Sequence, residues 1–252
     1  MKEDLLFYNE YEDFYQMADT SKCFKKYCEE AFGADFSQDG FSDLTQINLI
    51  LKYAPKVEKP YILDIGCGDG KMLKYLQENL GGYIYGFDYS DNAISSARKN
   101  RPVNAEFKTG VIGEMQYPEK SFDLIVSMDT VYFADDMTAF IGDVKSWLKD
   151  KGVFIVGYQE GDIMPKTNNG KSTALAKAFY KNEMYYDVVD LTEETYKMLK
   201  KKRQTILKYE DDFYKEGLGS WFNVILNQTD SSEVSFEEYS KENARYLYIV
   251  RK

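Results

Sequence analysis

Residues 61–70 read YILDIGCGDG, a short apolar run followed by three glycines at alternate positions, Gly66, Gly68 and Gly70. Glycine inside regular structure is destabilising by roughly 0.5–1 kcal/mol relative to alanine, because it loses more conformational freedom on folding. Three glycines at one place therefore indicate a sharp turn at which the backbone comes close to a ligand. The apolar run Tyr61–Ile65 in front of them predicts a buried strand.

The residues after this turn alternate between strand and helix patterns. Short apolar runs predict further strands at residues 83–87, 103–107, 122–128 and 153–156, and apolar residues at helical spacing predict helices between them. Apolar strands that alternate with helices are typical of a parallel sheet covered on both faces. Ligands of such sheets bind beyond the carboxyl ends of the strands, which is where the glycines lie.

Helical patterns flank this alternating core, which spans residues 60–158. Residues 1–58 predict a helical N-terminal cap, and residues 160–218 predict a helical insertion that covers the pocket and has no strand. Two apolar runs, Trp221–Asn227 and Arg245–Val250, predict a last pair of strands. The loop between them is too short for a crossover helix, so residues 219–252 predict a closing antiparallel hairpin. All of these segments are expected to belong to a single domain, residues 1–252.

Charge and composition exclude several classes of function. The chain has 42 acidic and 32 basic residues, a net charge of −10, and an acidic surface repels nucleic acid. The one basic run, residues 200–203, is interpreted as the solvated side of a helix. There is no histidine, which excludes Ser–His and Cys–His nucleophiles and histidine metal sites. The three cysteines, Cys23, Cys28 and Cys67, match no zinc pattern and are expected to be reduced, so no metal is predicted.

No targeting or membrane segment is predicted either. No apolar run approaches the ~20 residues that a membrane span needs. The N-terminal residues, MKEDLLFYNEYEDFYQ, are acidic and aromatic, unlike a signal or transit peptide. The expectation is a cytoplasmic protein that does not bind a membrane.

The glycine spacing distinguishes two kinds of ligand. Dinucleotide-binding turns have the pattern G-x-G-x-x-G and hold a pyrophosphate at a helix N-terminus. Here the third glycine comes one residue early, Lys71 follows it, and Asp64 precedes the first glycine by two residues. A carboxylate at that position disfavours a pyrophosphate and suits a cationic ligand or a bound water network.

The stretch DIGCGDG resembles motif I of the class I S-adenosylmethionine-dependent methyltransferases, whose pattern is acidic-x-Gly-x-Gly-x-Gly. Asp88, in YGFDYS, follows Gly70 by 18 residues, and residues 107–129, FKTGVIGEMQYPEKSFDLIVSMD, are similar to the family's third-strand loop and fourth strand. The resemblance covers about residues 60–158. It implies an α/β fold with a Rossmann-like, doubly wound, seven-stranded sheet, mostly parallel and ending in an antiparallel hairpin.

The resemblance implies S-adenosyl-L-methionine as cofactor, with Asp88 accepting hydrogen bonds from the ribose hydroxyls. In many relatives an acidic residue after the glycine of the third-strand loop binds the adenine amino group; here that residue is Val111, which leaves the amide of Ile112 as the expected adenine anchor. The residues implied to contact the cofactor are Asp64, Gly66, Cys67, Gly68, Asp88, Tyr89, Val111, Ile112 and Asp129.

The substrate side is expected to be built from residues near the fourth and fifth strands and from the cap. Asp129 and Tyr132 are the predicted catalytic residues: Asp129 could hold an amine or accept its proton, and Tyr132 could orient it. The predicted substrate contacts are Tyr11, Tyr15, Tyr132, Phe133 and Gln159, with Glu160 as a further candidate. Gln38 and Asp39 are further candidates for contact with the amino or carboxylate end of the cofactor. Two structural interpretations stay open, in which the cap tyrosines are core residues and Asp129 is a helix cap.

The function predicted from the resemblance is in-line transfer of a methyl group to a small molecule, with an amine slightly preferred over a hydroxyl as acceptor. A nucleic-acid or protein methyltransferase, an aminopropyl transferase and a non-catalytic cofactor-binding module remain alternatives. Because the cofactor methyl group is already activated, the lack of histidine is no obstacle. The oligomeric state is left open. Replacing Gly66 with valine is expected to abolish cofactor binding and to leave the fold intact.

Overall fold

The computed structural model describes residues 5–37 and 40–252, and within them the chain folds around one seven-stranded sheet. The strands are β1 Tyr61–Ile65, β2 Tyr83–Asp88, β3 Ala105–Thr109, β4 Phe122–Met128, β5 Leu148–Glu160, β6 Tyr185–Asp190 and β7 Ala244–Arg251. Their order across the sheet is β3-β2-β1-β4-β5-β7-β6. The first five strands are parallel, and β7 runs antiparallel to both of its neighbours. This is the predicted mostly parallel, doubly wound α/β fold with antiparallel strands at one edge.

Helices precede β1, separate most of the strands up to β6, and fill the stretch between β6 and β7. They are α1 Tyr8–Thr20, α2 Lys22–Phe32, α3 Leu44–Tyr53, α4 Lys71–Leu80, α5 Asp91–Lys99, α6 Met137–Trp147, α7 Ala174–Lys181, α8 Thr192–Lys208, α9 Glu210–Lys215, α10 Gly219–Asn227 and α11 Phe236–Glu242. Side chains of Ser21, Asp43, Ser90 and Thr173 accept backbone hydrogen bonds at the starts of α2, α3, α5 and α7. These caps explain where the four helices begin.

Two apolar cores cover the two faces of the sheet, and a third joins the helices. One face is packed around residues such as Phe87, Ile125 and Trp147, and the other around residues such as Ile84 and Ile155. The third core lies between α1 and α2 on one side and α8, α9 and α10 on the other. Helices α1 and α2 of the N-terminal cap therefore form one helical layer with α8, α9 and α10.

The strand order reverses at the centre of the sheet, and this fixes the position of the site. Strand β1 lies between β2 and β4, so the connections from β1 and from β4 leave toward opposite sides. Open sheets bind ligands at this point, outside the carboxyl ends of the strands. Asp64, Asp88 and Met128 lie at or near those ends of β1, β2 and β4.

The prediction for the last strand pair is wrong in one member. Residues 221–227, predicted as a strand, belong to helix α10, and β7 pairs instead with β5 and β6. Strand β6 lies within the stretch predicted to have no strand. The apolar run at 221–227 suits either element, and as a helix it buries Phe222 and Ile225, which are three residues apart. Strand β6, YYDVVD, is a short edge strand with two aspartates and only partial burial, so its pattern is weak.

Candidate active site

The glycine turn, residues 66–70, connects β1 to α4 and leaves the sheet at its carboxyl end. The amides of Gly66 and Cys67 donate hydrogen bonds to the carbonyl of Phe87 at 2.9 and 3.0 Å, which ties the turn to the end of β2. All three glycines have positive φ, +74° at Gly66, +53° at Gly68 and +77° at Gly70. Residues with a side chain adopt this backbone conformation only at a cost in energy, so it favours glycine at all three positions.

Packing adds a second requirement at each glycine. A Cβ atom at Gly66 would lie 2.8 Å from the Cβ of Thr130, and one at Gly70 would lie 2.8 Å from the ring of Phe107. A Cβ atom at Gly68 would overlap the hydroxyl of Tyr15. A side chain at Gly66 would thus meet Thr130, which corrects the expectation that valine there removes binding and leaves the fold intact.

Asp88 is buried at the end of β2 and holds the backbone on both sides of it. One carboxylate oxygen accepts a hydrogen bond from the amide of Gly68 at 2.9 Å, and the other accepts one from the amide of Ser90 at 2.9 Å. Burial raises the pKa of Asp88 to about 6, although these hydrogen bonds act in the opposite direction. Each oxygen keeps a lone pair for a further donor.

Asp64 is fully buried in β1, and within the described part of the chain neither of its carboxyl oxygens has a hydrogen-bond partner. Burial, and then the charge of Asp88, raises the pKa of Asp64 to about 8. An unpartnered buried carboxyl group is destabilising. The Asp64 carboxyl group therefore lies at the cavity wall and receives no hydrogen bond from any described residue.

A cavity of about 480 Å³ joins the glycine turn to the ends of the neighbouring strands. Its wall includes thirteen of the fourteen residues predicted for the site: Tyr11, Tyr15, Asp64, Gly66, Cys67, Gly68, Asp88, Tyr89, Val111, Ile112, Asp129, Tyr132 and Phe133. Residues from the cap, among them Phe36, Ser37 and Ser42, close the other side. The sequence prediction thus identified residues that the fold brings together.

Polar contacts fasten the cap over this cavity. A carboxylate oxygen of Glu12, on α1, accepts hydrogen bonds from the Ser90 hydroxyl at 2.5 Å and from the Asn92 amide at 3.1 Å. On the other side, Lys71 donates to Asp35 at 2.8 Å and to Ser37 at 2.7 Å. The first contacts join the cap to the start of α5, and the second join it to the end of the glycine turn.

Asp129 follows β4 with a left-handed φ of +62° and is paired with Arg245 of β7. The Oδ1 atom of Asp129 accepts a hydrogen bond from Nη1 of Arg245, and Oδ2 accepts one from Nη2 at 2.9 Å. The Arg245 side chain has no exposed area, and it also donates to Gln46 at 2.9 Å and to Ser42 at 2.8 Å. Arg245 therefore links the sheet, the cap and Asp129.

Sequence reasoning missed Arg245. It was included only as the first residue of a predicted strand, and a strand pattern gives no indication that a residue pairs with one 116 positions earlier. The only available signal was an arginine in a run of otherwise apolar and aromatic residues, RYLYIV, because buried arginines are rare unless they are paired.

Tyr132 and Phe133 lie in a short 3₁₀ turn, Val131–Phe133, that follows Asp129. Burial, and then the charge of Asp129, raises the pKa of Tyr132 well above its usual value. Tyr132 is therefore a neutral phenol near pH 7 that can donate or accept a hydrogen bond. Its ring contacts those of Phe133 and Tyr158, with centroids 5.2 and 6.2 Å away.

Gln159 is the one predicted site residue that does not line the cavity. Its side-chain amide donates to the backbone carbonyl of Glu160 at 3.1 Å, and it is buried. Glu160 is also buried, and its carboxylate accepts from the amide and hydroxyl of Thr167. Glu160 therefore holds the segment after β5, whereas the Gln159 contact stays within the strand. Gln38 and Asp39, the weaker candidates in the cap, lie outside the described residues.

The described residues form neither a metal-binding cluster nor a membrane-spanning helix. Residues 5–37 and 40–252 contain no group of three histidine, cysteine, aspartate or glutamate side chains that could hold a metal ion. Over the same ranges, no helix combines the length and the apolar character needed to cross a membrane.

Comparison with known families and proteins agrees with this geometry. A family model described as "Methyltransferase domain" matches residues 57–211, more than half of the chain. Phosphoethanolamine N-methyltransferase 3 of Arabidopsis thaliana is 26% identical over 232 residues, covering 81% of this chain and 46% of that protein. The Triticum aestivum phosphoethanolamine N-methyltransferase is 29% identical over 204 residues, covering 73% of this chain and 39% of that protein. The chain spans less than half the length of these two curated relatives.

Solved structures share the fold at lower sequence identity. Phosphoethanolamine N-methyltransferase 2 of Haemonchus contortus, in complex with phosphomonomethylethanolamine and S-adenosylhomocysteine, has a TM-score of 0.74 and 17% identity over 95% of this chain and 59% of that chain. The cyclopropane synthase MmaA2 of Mycobacterium tuberculosis has a TM-score of 0.73 and 14% identity over 96% and 98% of the two chains. The predicted Rossmann-like methyltransferase fold is confirmed.

Proposed function

The chain belongs to the methyltransferase-domain family, and from this membership we propose that it transfers a methyl group from S-adenosylmethionine to a small-molecule amine. The observation that carries the proposal is the single cavity that runs from the glycine turn to Asp129 beneath the aromatic cap. Enclosed cavities of this size suit small ligands. The net charge of −10 argues against nucleic acid as the acceptor.

The residues of the cavity fit the cofactor. Asp64 presents a buried carboxyl group to which no described residue donates a hydrogen bond, and this suits the ammonium group of the methionine portion. Asp88 has free lone pairs for two ribose hydroxyls, and Val111 and Ile112 supply apolar surface and backbone for the adenine. When bound, S-adenosylmethionine supplies a methyl group on a positively charged sulfur, already activated toward a nucleophile.

The chain's own contribution is to position the acceptor and exclude water. We assign Asp129 to attract the amine and to accept a hydrogen bond from it, since each of its oxygens keeps a lone pair beyond the contact with Arg245. Tyr132 orients the acceptor as a neutral phenol, and Tyr11 and Tyr15 cover the cavity from the cap. The amine must be unprotonated when it attacks.

The direct test is incubation with S-adenosylmethionine labelled in its methyl group and a set of small amines. We expect labelled amine product, and less of it from an Asp88→Ala variant when the cofactor concentration is close to the Kd of the unmodified protein. Label in added RNA or protein instead would favour a macromolecular acceptor. Cofactor binding without any labelled product would favour a non-catalytic binding module.

Replacing Asp88 with alanine should weaken the binding of S-adenosylhomocysteine by about 1–3 kcal/mol, because the ribose hydroxyls and the amides of Gly68 and Ser90 lose their acceptor. Titration calorimetry measures the loss. Asp123→Asn is the matched control, since Asp123 is also a buried aspartate but lies near the opposite end of β4. Equal affinity of the Asp88 variant and the unmodified protein would remove the ribose assignment.

Cofactor binding at pH 7 should release about one proton from Asp64. The raised pKa, about 8, keeps Asp64 protonated in the empty protein at this pH, and a bound ammonium group favours the carboxylate. Asp88, with a pKa of about 6, is already mostly ionised at pH 7. Affinity should therefore rise as the pH increases from 6 to 8.

Calorimetry in two buffers with different ionisation enthalpies measures this release. In the Asp64→Asn variant the release should disappear and the pH dependence should flatten. The assignment of Asp64 fails if the variant and the unmodified protein release the same number of protons.

A further inference from the structure

The part of the cavity wall beyond the cofactor residues has a distinctive chemistry. It includes four aromatic side chains and two carboxylates, called here the acceptor pocket: Tyr11, Tyr15, Tyr132, Phe133, Asp129 and Asp135. Aromatic faces and carboxylates both favour a cation, and the rings also tolerate its methyl groups.

Positive side chains are missing from this wall. Among the described residues that line the whole cavity there is no lysine or arginine, and the sequence has no histidine. The same wall carries four aspartates: Asp64, Asp88, Asp129 and Asp135. An anionic group that entered the cavity would meet aspartate side chains and no unpaired cation on the described part of the wall.

Among the described residues, two cations, Arg245 and Lys71, contact wall residues from outside, and both are already paired. Arg245 donates to both oxygens of Asp129 and also to Ser42 and Gln46. Lys71 forms ion pairs with Asp35 at 2.8 Å and with Asp69 at 3.2 Å. Freeing either cation would leave partly buried or buried carboxylates unpaired, which is strongly unfavourable.

A phosphate group would therefore lose its hydration in this cavity without gaining a cation. Recognition of phosphate in proteins ordinarily relies on arginine, lysine or a helix N-terminus. We propose that the acceptor is a small amine that carries neither a phosphate nor a carboxylate group. This inference rests on the proposed function, and it separates the chain from the phosphorylated amine in the Haemonchus contortus complex.

Two probes that share a trimethylammonium head test the proposal, because they cannot accept a methyl group and differ in the phosphate. The protein is first saturated with S-adenosylhomocysteine, with the heat of that titration as evidence of loading, and is then titrated with choline and with phosphocholine. We expect choline to bind at least tenfold more tightly. Any smaller ratio, including no binding of either probe, overturns the proposal.

The variant Asp129→Asn sharpens the test. It removes the charge that neutralises Arg245, so the guanidinium becomes available to an anion. The preference for choline over phosphocholine should fall at least tenfold in this variant and stay unchanged in Asp123→Asn, a control aspartate near the far end of β4. An unchanged preference in Asp129→Asn would show that the charge of the acceptor pocket does not set specificity, and would overturn the proposal.

The two proposals fail in different ways. If S-adenosylhomocysteine gives no heat, or no amine acquires label from S-adenosylmethionine, the proposed function fails. If loading and labelling succeed but phosphocholine binds as well as choline, only the inference about the acceptor fails.

Discussion

Replacing Arg245 with methionine is expected to lower the free energy of unfolding by about 3–5 kcal/mol. The guanidinium is fully buried, and methionine keeps much of its volume but none of its donors. The carboxylate of Asp129, whose side chain is only 10% exposed, would lose its partner. Removing one member of a buried ion pair is far more destabilising than the net contribution of the pair, because the other charge stays buried.

Arg251→Met is the matched control for this measurement. Arg251 is also an arginine of β7 and also pairs with an aspartate, Asp187, but the two side chains are 50% and 78% exposed. Exposed pairs contribute about 0–1 kcal/mol. Urea unfolding of both variants should therefore give very different losses. Similar losses would mean that the Arg245 contact network does not stabilise the fold as described.

Replacing Gly66 with alanine should lower the free energy of unfolding by about 2–5 kcal/mol. The left-handed φ of +74° accounts for about 1–2 kcal/mol of this in a residue with a Cβ atom. The remainder, about 1–3 kcal/mol, comes from the overlap of that atom with Thr130. Thr130 cannot move freely, since its hydroxyl donates to the carbonyl of Ile65 at 2.7 Å.

Gly217→Ala separates the two contributions. Gly217 has nearly the same φ, +75°, but an added Cβ atom would have no described atom within 4 Å. The control should lose only the contribution from backbone strain. If both variants lose the same amount of stability in urea unfolding of the cofactor-free protein, contact with Thr130 is not a reason for glycine at position 66.

Most residues predicted for the cofactor line one cavity because the segments that carry them are short and local. The glycine turn, Asp64 and Asp88 are fixed by short segments at the ends of strands, and the alternation of strand and helix places those ends together. The third-strand loop, which contains Val111 and Ile112, lies at the same edge for the same reason.

The parts that could not be predicted depend on contacts between distant segments. Arg245 pairs with Asp129 and Gln46 across three elements, and no local pattern encodes that contact. The identity of β6 was missed because an edge strand with charged residues resembles a loop, whereas the apolar run at 221–227 resembles a strand. Packing between distant segments determines both the Arg245 contacts and which of the two segments becomes a strand.

The proposed function depends on the binding of S-adenosylmethionine at the glycine turn. Titration with S-adenosylhomocysteine, the same compound without the transferred methyl group, tests this binding most directly. We predict saturable heat with one site per chain, and stabilisation against unfolding by about 2.7 kcal/mol at a ligand concentration one hundred times the Kd. A titration that gives neither heat nor stabilisation of the folded protein would contradict cofactor binding at the glycine turn and the proposed function with it.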